Sequence, residues 1–361
     1  MHAVILAGGE GSRLWPASTN NKPKPFLQLP NNKSLLQDTL TRACNLPRVK
    51  NIITITHSSC AITVEQQYRQ LADTPLIQNQ NLEIITEPFS KNTAAAITAS
   101  VLHIRKQYGP DATVLILPSD HIISNMRAFS KAINKAMDII DDGKIITLGI
   151  QPSYAETDYG YIESDHYSVV RFIEKPGKIL AKKYLKNRNY LWNSGILCFK
   201  AKDFILAMNQ HCKDILYNVQ RAFNSALIDD SFNHNQILLN QNYWHLLPNI
   251  SIDYALMEKL EQVAVIPCDI GWQDVGNWNR FSKLLSQNID GNNLIGNVIT
   301  HGTSDCYIES NGIPIAAIGV KNLVIVETKN GLLVVDKDNT SDIKHIFSLL
   351  KSQNNLAKNT N

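Results

Sequence analysis

The sequence of 361 residues predicts an α/β protein with a Rossmann-like, mostly parallel sheet and a small C-terminal β-domain. Two observations lead to this fold class. Up to about residue 150, continuous apolar runs alternate with amphipathic helical segments, which is typical of a parallel sheet covered on both faces. Beyond Phe281, short apolar runs alternate with turns such as Asn-Gly and Lys-Asn, which indicates β-structure. We therefore predict a first domain at residues 1–285 and a second at residues 286–361.

The elements of the first domain follow from hydrophobic periodicity. Its predicted strands are continuous apolar runs, namely His2–Ala7, Asn51–His57, Leu82–Thr86, Thr113–Leu117 and Lys144–Ile150. Its predicted helices have apolar residues at helical spacing and include Thr93–Gln107 and Phe129–Ile140. The chain is then β-rich from Tyr159 to about Phe199, around a helix near Ile179–Lys186. Residues 202–259 are predicted to be mainly helical.

The second domain is predicted from regularly spaced short strands. They are Leu294–Thr300, Cys306–Ile308, Pro314–Gly319, Leu323–Glu327 and Leu332–Val335. Their regular spacing indicates a β-solenoid, although no exact repeat is visible. A left-handed β-helix-like domain is the form of solenoid that we expect here. A helix near Asp342–Lys351 closes the domain.

Composition excludes several classes of protein. With 44% hydrophobic residues, 19% charged residues and a net charge of +3, the chain is not predicted to bind nucleic acid or membranes. The N-terminal apolar run is too short for a signal peptide or a membrane span. Six scattered cysteines without a C-x-x-C pair indicate reduced thiols rather than structural zinc. We therefore expect a cytoplasmic protein.

A glycine-rich turn follows the first predicted strand and contains Gly8, Gly9 and Gly11. Glycine lets the backbone approach a ligand closely and leaves amide N–H groups free to face anionic oxygen. Arg13 and Lys24 come shortly after this turn and add fixed positive charge. The combination favours a polyphosphate site, and the alternative is an ordinary strand-to-helix turn.

Two better-known phosphate motifs do not fit this turn. No P-loop with its Gly-Lys-Ser/Thr ending follows the strand. The dinucleotide fingerprint fails because its third glycine position is Leu14, and Pro16 would disrupt a helix that began there.

The chain resembles the sugar-1-phosphate nucleotidylyltransferases. The signature is Gly8-Gly-x-Gly-x-Arg-Leu-Trp-Pro16 followed by Pro23-Lys-x-Phe-Leu27, and its Leu-Trp-Pro variant resembles the mannose-1-phosphate guanylyltransferase branch. Further matching blocks follow in family order over nearly the whole chain: Glu87–Ala94, Leu117–His121, Tyr159–Ile162, Phe172–Pro176, Trp192–Gly195, Ser251–Lys259 and Trp272–Trp278.

The resemblance implies a nucleotide-diphospho-sugar transferase fold and a specific reaction. GTP and mannose-1-phosphate would give GDP-mannose and pyrophosphate, with Mg²⁺ as the cofactor. The implied magnesium ligands are Asp120 and Asp274, since Mg²⁺ takes one or two carboxylates besides phosphate oxygens and waters. The alternatives are a helix cap at Asp120 and a turn position at Asp274, just before Gly276.

The resemblance also implies the nucleotide-binding residues. Arg13 and Lys24 would bind the β- and γ-phosphates, and with Asp120 and Asp274 they form the predicted catalytic set. The full nucleotide-binding set adds Leu6, Ala7, Gly8, Gly9, Gly11, Ser12, Glu87 and Asn92 to Arg13, Lys24 and Asp120. Glu87 would accept hydrogen bonds from guanine N1–H and N2–H₂. The alternatives are solvated surface cations and, for Glu87, a turn before Pro88 or a cap for the following helix.

The sugar phosphate is implied to bind further along the chain. Lys175 would bind its phosphate, while Glu174 and Asn193 would bind sugar hydroxyls. Gly160 would let the backbone approach the sugar, and Asp253 would line the pocket. The alternatives are an exposed ion-pair loop at residues 174–175 and a helix-start role for Asp253.

Some positions depart from the family pattern. Many members have Arg, Gln, Arg and Pro where this chain has Thr19, Pro25, Lys91 and Ala95, and a small residue where it has Asp158. These departures leave efficiency and exact sugar specificity open. The first alternative is a sister enzyme that uses another sugar-1-phosphate, such as a heptose phosphate, or another nucleotide. A non-catalytic homologue that binds a nucleotide sugar and regulates a partner is a further alternative, against which the retained metal carboxylates argue. We also predict a homo-oligomer, specifically a dimer.

Overall fold

The computed structural model describes the chain except residues 10, 20–21, 73, 79, 231–233 and 359–361, and except the side chains of residues 76 and 353–358. The chain divides into two compact units. The first unit contains Met1–Gly8 and Gln37–Trp272, and the second contains Gly9–Leu36 and Gln273–Asn361. The glycine-rich turn is thus shared between the units. The sequence boundary between residues 285 and 286 stays a prediction.

Eleven strands of the first unit form one sheet. The strands up to residue 274 are β1 His2–Leu6, β2 Asn51–His57, β3 Asn81–Glu87, β4 Thr113–Pro118, β5 His121–Ile123, β6 Ile145–Ile150, β7 Tyr161–Asp165, β8 Ser168–Ile173, β9 Tyr190–Lys200, β10 Leu227–Asp229, β11 Gln236–Leu238, β12 Val263–Cys268 and β13 Trp272–Asp274. Of these strands, all but β5 and β13 belong to the sheet, whose order is β10-β11-β3-β2-β1-β4-β9-β6-β12-β8-β7.

The sheet is parallel where the sequence alternates strands with helices. Strands β11, β3, β2, β1 and β4 pair in parallel, as do β6 and β12. The predicted α/β class is confirmed. Strand β9 runs antiparallel between β4 and β6, and β7 and β8 form an antiparallel hairpin, so this half of the sheet is mixed. The segment 159–199 therefore supplies the antiparallel strands, in agreement with its predicted β-rich character.

Helices cover this sheet and bury its apolar side chains. Those up to residue 255 are α1 Leu35–Cys44, α2 Ala61–Leu71, α3 Pro75–Gln78, α4 Asn92–Tyr108, α5 Met126–Ile139, α6 Lys178–Leu185, α7 Ala201–His211, α8 Lys213–Asn224, α9 Gln241–Trp244 and α10 Ile252–Ala255. Helix α4 is buried on most sides from Ala94 to Ile104 because it packs against β1 as well as against α7 and α8. It agrees within one residue with the predicted helix.

The second unit contains the predicted solenoid. Its remaining elements are α11 Trp278–Ser282, β14 Asn293–Ile295, β15 Val298–His301, β16 Tyr307–Ser310, β17 Ile315–Ile318, β18 Leu323–Thr328, β19 Gly331–Asp336 and α12 Ile343–Lys358. Strands β14, β16 and β18 stack in parallel, β15 pairs with β17 in parallel, and β19 forms an antiparallel hairpin with β18. Parallel stacking of successive short strands is the expected solenoid arrangement. The handedness stays a prediction.

One predicted strand of this unit was wrong. Leu294–Thr300 is two strands, β14 and β15, because the chain turns a corner at Gly296. This residue has φ of 80°, and a Cβ there would lie 2.1 Å from the main-chain oxygen of Ser310. The turn requires glycine and ends the run of extended residues.

The N-terminal segment Gly9–Leu36 packs with the C-terminal residues in the second unit. Helix α12 contacts the short 3-10 turn Ser12–Leu14. The buried ring of Trp278 packs on Phe281 and Tyr307 at centroid distances of 5.5 and 5.2 Å. Within the described part of the chain, no helix combines the length and apolar character needed to cross a bilayer.

Candidate active site

The glycine-rich turn enters the second unit at Gly9, and its conformation there requires glycine at position 11. Gly11 has φ of 62°, and a Cβ there would lie 2.4 Å from Cβ of Lys24 and 2.8 Å from Oγ of Ser18. Any larger residue would push Lys24 away and would be strained in this conformation. Gly11 therefore brings the turn that carries Ser12 and Arg13 against Lys24, and Gly9 also has a positive φ, of 106°.

Two cations flank Asp274 in the second unit. Its Oδ1 lies 3.2 Å from Nζ of Lys24, and its Oδ2 lies 3.5 Å from Arg280 NH1. The Lys24 side chain is 11% exposed, so this ion pair is shielded from water more than a surface pair would be. Sequence analysis predicted Lys24 and Asp274 but missed Arg280, because a single arginine on a short helix carries no motif.

In the first unit, hydrogen bonds fix the main chain after β1. Ala7 N donates to the Ile55 oxygen at 2.9 Å, and Thr56 Oγ1 donates to the Ala7 oxygen at 3.0 Å. Ser119 N donates to the Leu6 oxygen at 3.2 Å. Leu6, Ala7 and Gly8 thus leave the sheet in a defined position at the carboxyl ends of parallel strands, where ligands bind in such sheets.

Glu87 is a buried carboxyl beside this segment. It is the last residue of β3 and is 4% exposed, and its Oε1 has no hydrogen-bond partner among the described residues. A Cβ at Gly8 would lie 3.7 Å from Glu87 Oε2, in ordinary van der Waals contact with the carboxyl, so the main chain of Gly8 lies beside this group. Burial raises the pKa of Glu87 to about 8. Such a group has capacity to accept hydrogen bonds that the described protein residues do not supply.

The block after Glu87 is attached to the segment before α10. Asn92, at the start of α4, is exposed and has φ of 63°. Lys91 Nζ donates to the main-chain oxygens of His245 and Leu247 at 2.9 and 2.6 Å. The cation at position 91 therefore connects two segments of the first unit.

Asp120 lies in the turn between β4 and β5 of the first unit. Its Oδ1 is 3.7 Å from His121 Nε2, and a third of its side chain is exposed. The next helix, α5, is capped by Asn125, whose Oδ1 accepts from Ala128 N at 3.0 Å. The cap predicted as the alternative role of Asp120 is therefore supplied by another residue.

A buried arginine supports the Asp120 turn and was missed by sequence analysis. Arg42 NH2 donates to the His121 oxygen at 3.0 Å and to Thr39 Oγ1 at 2.6 Å, and Thr39 Oγ1 donates to the Ser119 oxygen at 3.3 Å. Burial lowers the pKa of Arg42 to about 10, so it remains charged at neutral pH. It supplies a buried positive charge beside the main chain of the turn that carries Asp120.

The predicted sugar residues come together in the first unit. Asn193 donates from Nδ2 to Asp253 Oδ1 at 2.8 Å and from its main-chain N to the Gly160 oxygen at 2.8 Å. A Cβ at Gly160 would lie 2.6 Å from Glu174 Oε2, so only glycine allows this approach without a shift. We call Gly160, Glu174, Asn193 and Asp253 the polar cluster.

The polar cluster contains two carboxyl groups, those of Glu174 and Asp253, and Lys175 pairs with the first of them. Glu174 Oε1 pairs with Lys175 Nζ at 2.8 Å, and Lys175 is an exposed residue with φ of 44°. Burial raises the pKa of Asp253 and the nearby charge of Glu174 adds to the rise, while the hydrogen bond from Asn193 opposes it. Ser251 caps α10 through its Oγ, which accepts from Tyr254 N at 3.4 Å, so the Asp253 carboxyl does not serve as that cap.

Two family models match this chain. The nucleotidyl transferase model matches residues 2–290. A model described as the MannoseP isomerase/GMP-like beta-helix domain matches residues 296–350.

Curated relatives are similar over almost the whole chain. Mannose-1-phosphate guanylyltransferase 2 of Escherichia coli O157:H7 is 39% identical, over 97% of this chain and 73% of the relative. Mannose-1-phosphate guanylyltransferase of Klebsiella pneumoniae is 39% identical, over 96% of this chain and 73% of the relative. A crystal structure from Thermus thermophilus, described as a mannose-1-phosphate geranyltransferase, has a TM-score of 0.81 at 29% identity and covers 97% of this chain and 99% of that one.

Proposed function

Since the chain belongs to the nucleotidyl transferase family, we propose that it is a mannose-1-phosphate guanylyltransferase. It would join GTP and mannose-1-phosphate to form GDP-mannose and release pyrophosphate. The observation that carries this proposal is the 39% identity to a guanylyltransferase over 97% of the chain. The geometry of the two units supports it, one substrate group at a time.

Guanine is assigned to the carboxyl ends of the parallel strands in the first unit. Glu87 has a buried oxygen without a described partner, and guanine offers two donors, N1–H and N2–H₂, on one edge. The main chain of Leu6–Gly8 borders the base, and Asn92 lies at the start of the nearby α4. Adenine lacks this pair of donors and would leave the carboxyl unsatisfied.

The triphosphate is assigned to the glycine-rich turn. Amides of Gly9, Gly11 and Ser12 would face its oxygens, and Arg13 and Lys24 would bind the β- and γ-phosphates. Gly11 supports this assignment because it holds the Arg13 turn against Lys24. These positive charges stabilise the charge that develops on pyrophosphate as it leaves.

Asp120 and Asp274 are the proposed magnesium ligands. Two carboxylates fit this ion, which prefers hard oxygen donors at one or two protein positions. Neither carboxylate serves as a helix cap among the described residues, and Asp274 pairs with Lys24 and Arg280. When bound, Mg²⁺ would neutralise phosphate charge and so reduce repulsion between the two anionic substrates.

Mannose-1-phosphate is assigned to the polar cluster and Lys175. Glu174, Asn193 and Asp253 offer acceptors and one amide for sugar hydroxyls, and Lys175 would bind the phosphate. An oxygen of this phosphate attacks the α-phosphorus of GTP. One P–O bond forms there while the bond to the pyrophosphate oxygen breaks, so no protein nucleophile is required.

We also propose a cytoplasmic homodimer. The outer side chains Ile299 and Ile318, on β15 and β17, are each 70% exposed, and such apolar surface favours burial against a second copy.

The experiment is pyrophosphate release measured with Mg²⁺ over a panel of nucleotides and sugar phosphates. GTP with mannose-1-phosphate should be the preferred pair. Release with a heptose-1-phosphate but not with mannose-1-phosphate would instead support the sister enzyme. Nucleotide-sugar binding without any release would support the regulatory homologue.

A further inference from the structure

The hairpin turn between β18 and β19 contacts the N-terminal signature within the second unit. This turn, Thr328–Gly331, faces Trp15 and Pro16. Thr328 Oγ1 and Asn330 Nδ2 both donate to the main-chain oxygen of Pro16, at 3.4 and 3.3 Å. The turn is itself ordered by a bond from Asn330 N to Thr328 Oγ1 at 3.1 Å.

Gly331 brings the turn directly against the Trp15 indole. A Cβ at Gly331 would lie 2.7 Å from Cζ2 and 3.0 Å from Cη2 of that ring, closer than side chains pack in proteins. Its φ of 148° is also unfavourable for other residues. Close approach to Trp15 and backbone conformation therefore both require glycine at this position.

A second contact fixes the preceding carbonyl. The buried Trp278 donates from Nε1 to the main-chain oxygen of Trp15 at 2.9 Å. The oxygens of Trp15 and Pro16 are thus both held by residues near or within the solenoid. Arg13 lies two residues before Trp15, in the turn that Gly11 holds against Lys24.

We propose that the Thr328–Gly331 turn is a positioning element for the triphosphate-binding loop, with Asn330 and Gly331 as its positioning residues. It contacts Trp15 and Pro16, and through them it fixes the position of the Arg13 turn that would bind a nucleoside triphosphate. This inference rests on the proposed function. A displacement of about 1 Å in such a loop can cost on the order of 10²-fold in rate.

The test compares two alanine substitutions at glycines of the solenoid. Gly331→Ala introduces a Cβ against Trp15, whereas Gly319→Ala, at φ of 66°, meets no atom within 4 Å. Both put alanine at a positive φ, so both are expected to lower the melting temperature. Only Gly331→Ala should reduce kcat/KM for GTP, by roughly ten- to a hundredfold, with KM for mannose-1-phosphate unchanged.

A second measurement follows the loop directly. The amides of Leu14, Trp15 and Ser18 donate to main-chain oxygens within the loop at 2.8, 3.3 and 2.9 Å. Their hydrogen exchange should be faster in Gly331→Ala than in Gly319→Ala. Adding Trp15→Phe, which removes the ring atoms that a Cβ at position 331 would meet, should partly restore slow exchange and GTP use.

Failure of the inference differs from failure of the proposed function. A wild-type protein that releases no pyrophosphate from GTP contradicts the proposed function, and the positioning role is then tested by GTP affinity and amide exchange in the two variants. Equal effects of Gly331→Ala and Gly319→Ala overturn the positioning role. Faster exchange with unchanged GTP parameters overturns it as well.

Discussion

The carboxylate of Asp274 lies 3.2 Å from the ammonium of Lys24, although 250 positions separate the two residues in the sequence. The pair is only slightly exposed on the lysine side. The ion pair orients the Asp274 carboxylate towards Lys24, and it offsets part of the charge that Lys24 would offer to phosphate in the proposed site. A metal ligand and a phosphate ligand of the proposed site therefore depend on each other.

Loss of either carboxylate proposed to bind magnesium should reduce turnover strongly. Asp120→Asn and Asp274→Asn should each lower kcat by on the order of 10²-fold or more, since a preorganised charge is lost. A titration with Mg²⁺ should show a raised half-saturation concentration in both variants, and EDTA should abolish wild-type activity. Asp141→Asn, at an exposed carboxylate outside the predicted site, is the matched control. Full activity in one of the first two variants would remove that residue from the ligand set.

The phosphate of mannose-1-phosphate and the triphosphate of GTP should depend on different cationic side chains. Lys175→Ala should mainly raise KM for mannose-1-phosphate, whereas Arg13→Ala should mainly lower kcat with GTP, because the charge that Arg13 meets grows as pyrophosphate leaves. Charged hydrogen bonds are each worth roughly 1.5–3 kcal/mol, which corresponds to about ten- to a hundredfold. Measuring kcat and both KM values for each variant decides the division. Impaired GTP binding in Lys175→Ala with an unchanged KM for the sugar phosphate would contradict it.

Glu87 should make stability depend on pH. Because its folded pKa is raised to about 8 and an exposed glutamate titrates near 4.5, the protein should lose stability as pH rises between these values. Glu87→Gln should remove this loss, so its melting temperature relative to wild type should increase by a few degrees from pH 6 to pH 9. The exposed Glu261→Gln is the control.

The same substitution should also affect base selection. If the Glu87 carboxylate accepts from guanine, Glu87→Gln should raise KM for GTP and narrow its advantage over ATP. Calorimetry in buffers of different ionisation enthalpy should show proton release on GTP binding at pH 7, because the bound base favours the ionised carboxyl. Unchanged base preference together with no proton release would place guanine elsewhere.

Deletion of residues 286–361 should give an aggregated or destabilised protein rather than an enzyme with altered specificity. The deletion removes Tyr307 from the ring of Trp278 and the Thr328–Gly331 turn from Trp15. Apolar surface on the N-terminal signature segment would then be exposed. Size-exclusion chromatography and a thermal melt measure the outcome. A monodisperse, cooperatively melting and fully active truncation would refute this prediction.

Sequence patterns predicted the elements whose periodicity is long and regular. The strand predicted at Thr113–Leu117 and the helix predicted at Thr93–Gln107 each agree with the structure to within a residue at either end. The three-residue strands β10 and β11 were missed inside a segment predicted to be mainly helical, because so few residues show no period. The antiparallel insertion of β9 was also missed, since strand order depends on tertiary packing.

Sequence patterns identified the polar residues that lie together in the first unit. They did not identify the residues that support the candidate site, such as Arg42. Gly160, Glu174, Asn193 and Asp253 come from separate motifs and meet in one place. Arg42 could not be predicted, because a buried arginine on a helix looks like any surface cation until its partners are known. The shared membership of the signature and the solenoid in one unit likewise has no local sequence signal.

The second unit is built from two stretches of chain that are far apart in the sequence, so one is synthesised well before the other. Residues 9–36 leave the ribosome early, but the partners that complete their unit begin at residue 273. At about 5–20 residues per second, the delay is on the order of 10–50 s. Throughout that interval the side chains of Leu14 and Trp15 are exposed to solvent in the nascent chain. A chaperone that binds short apolar segments of this kind should therefore raise the yield of folded protein.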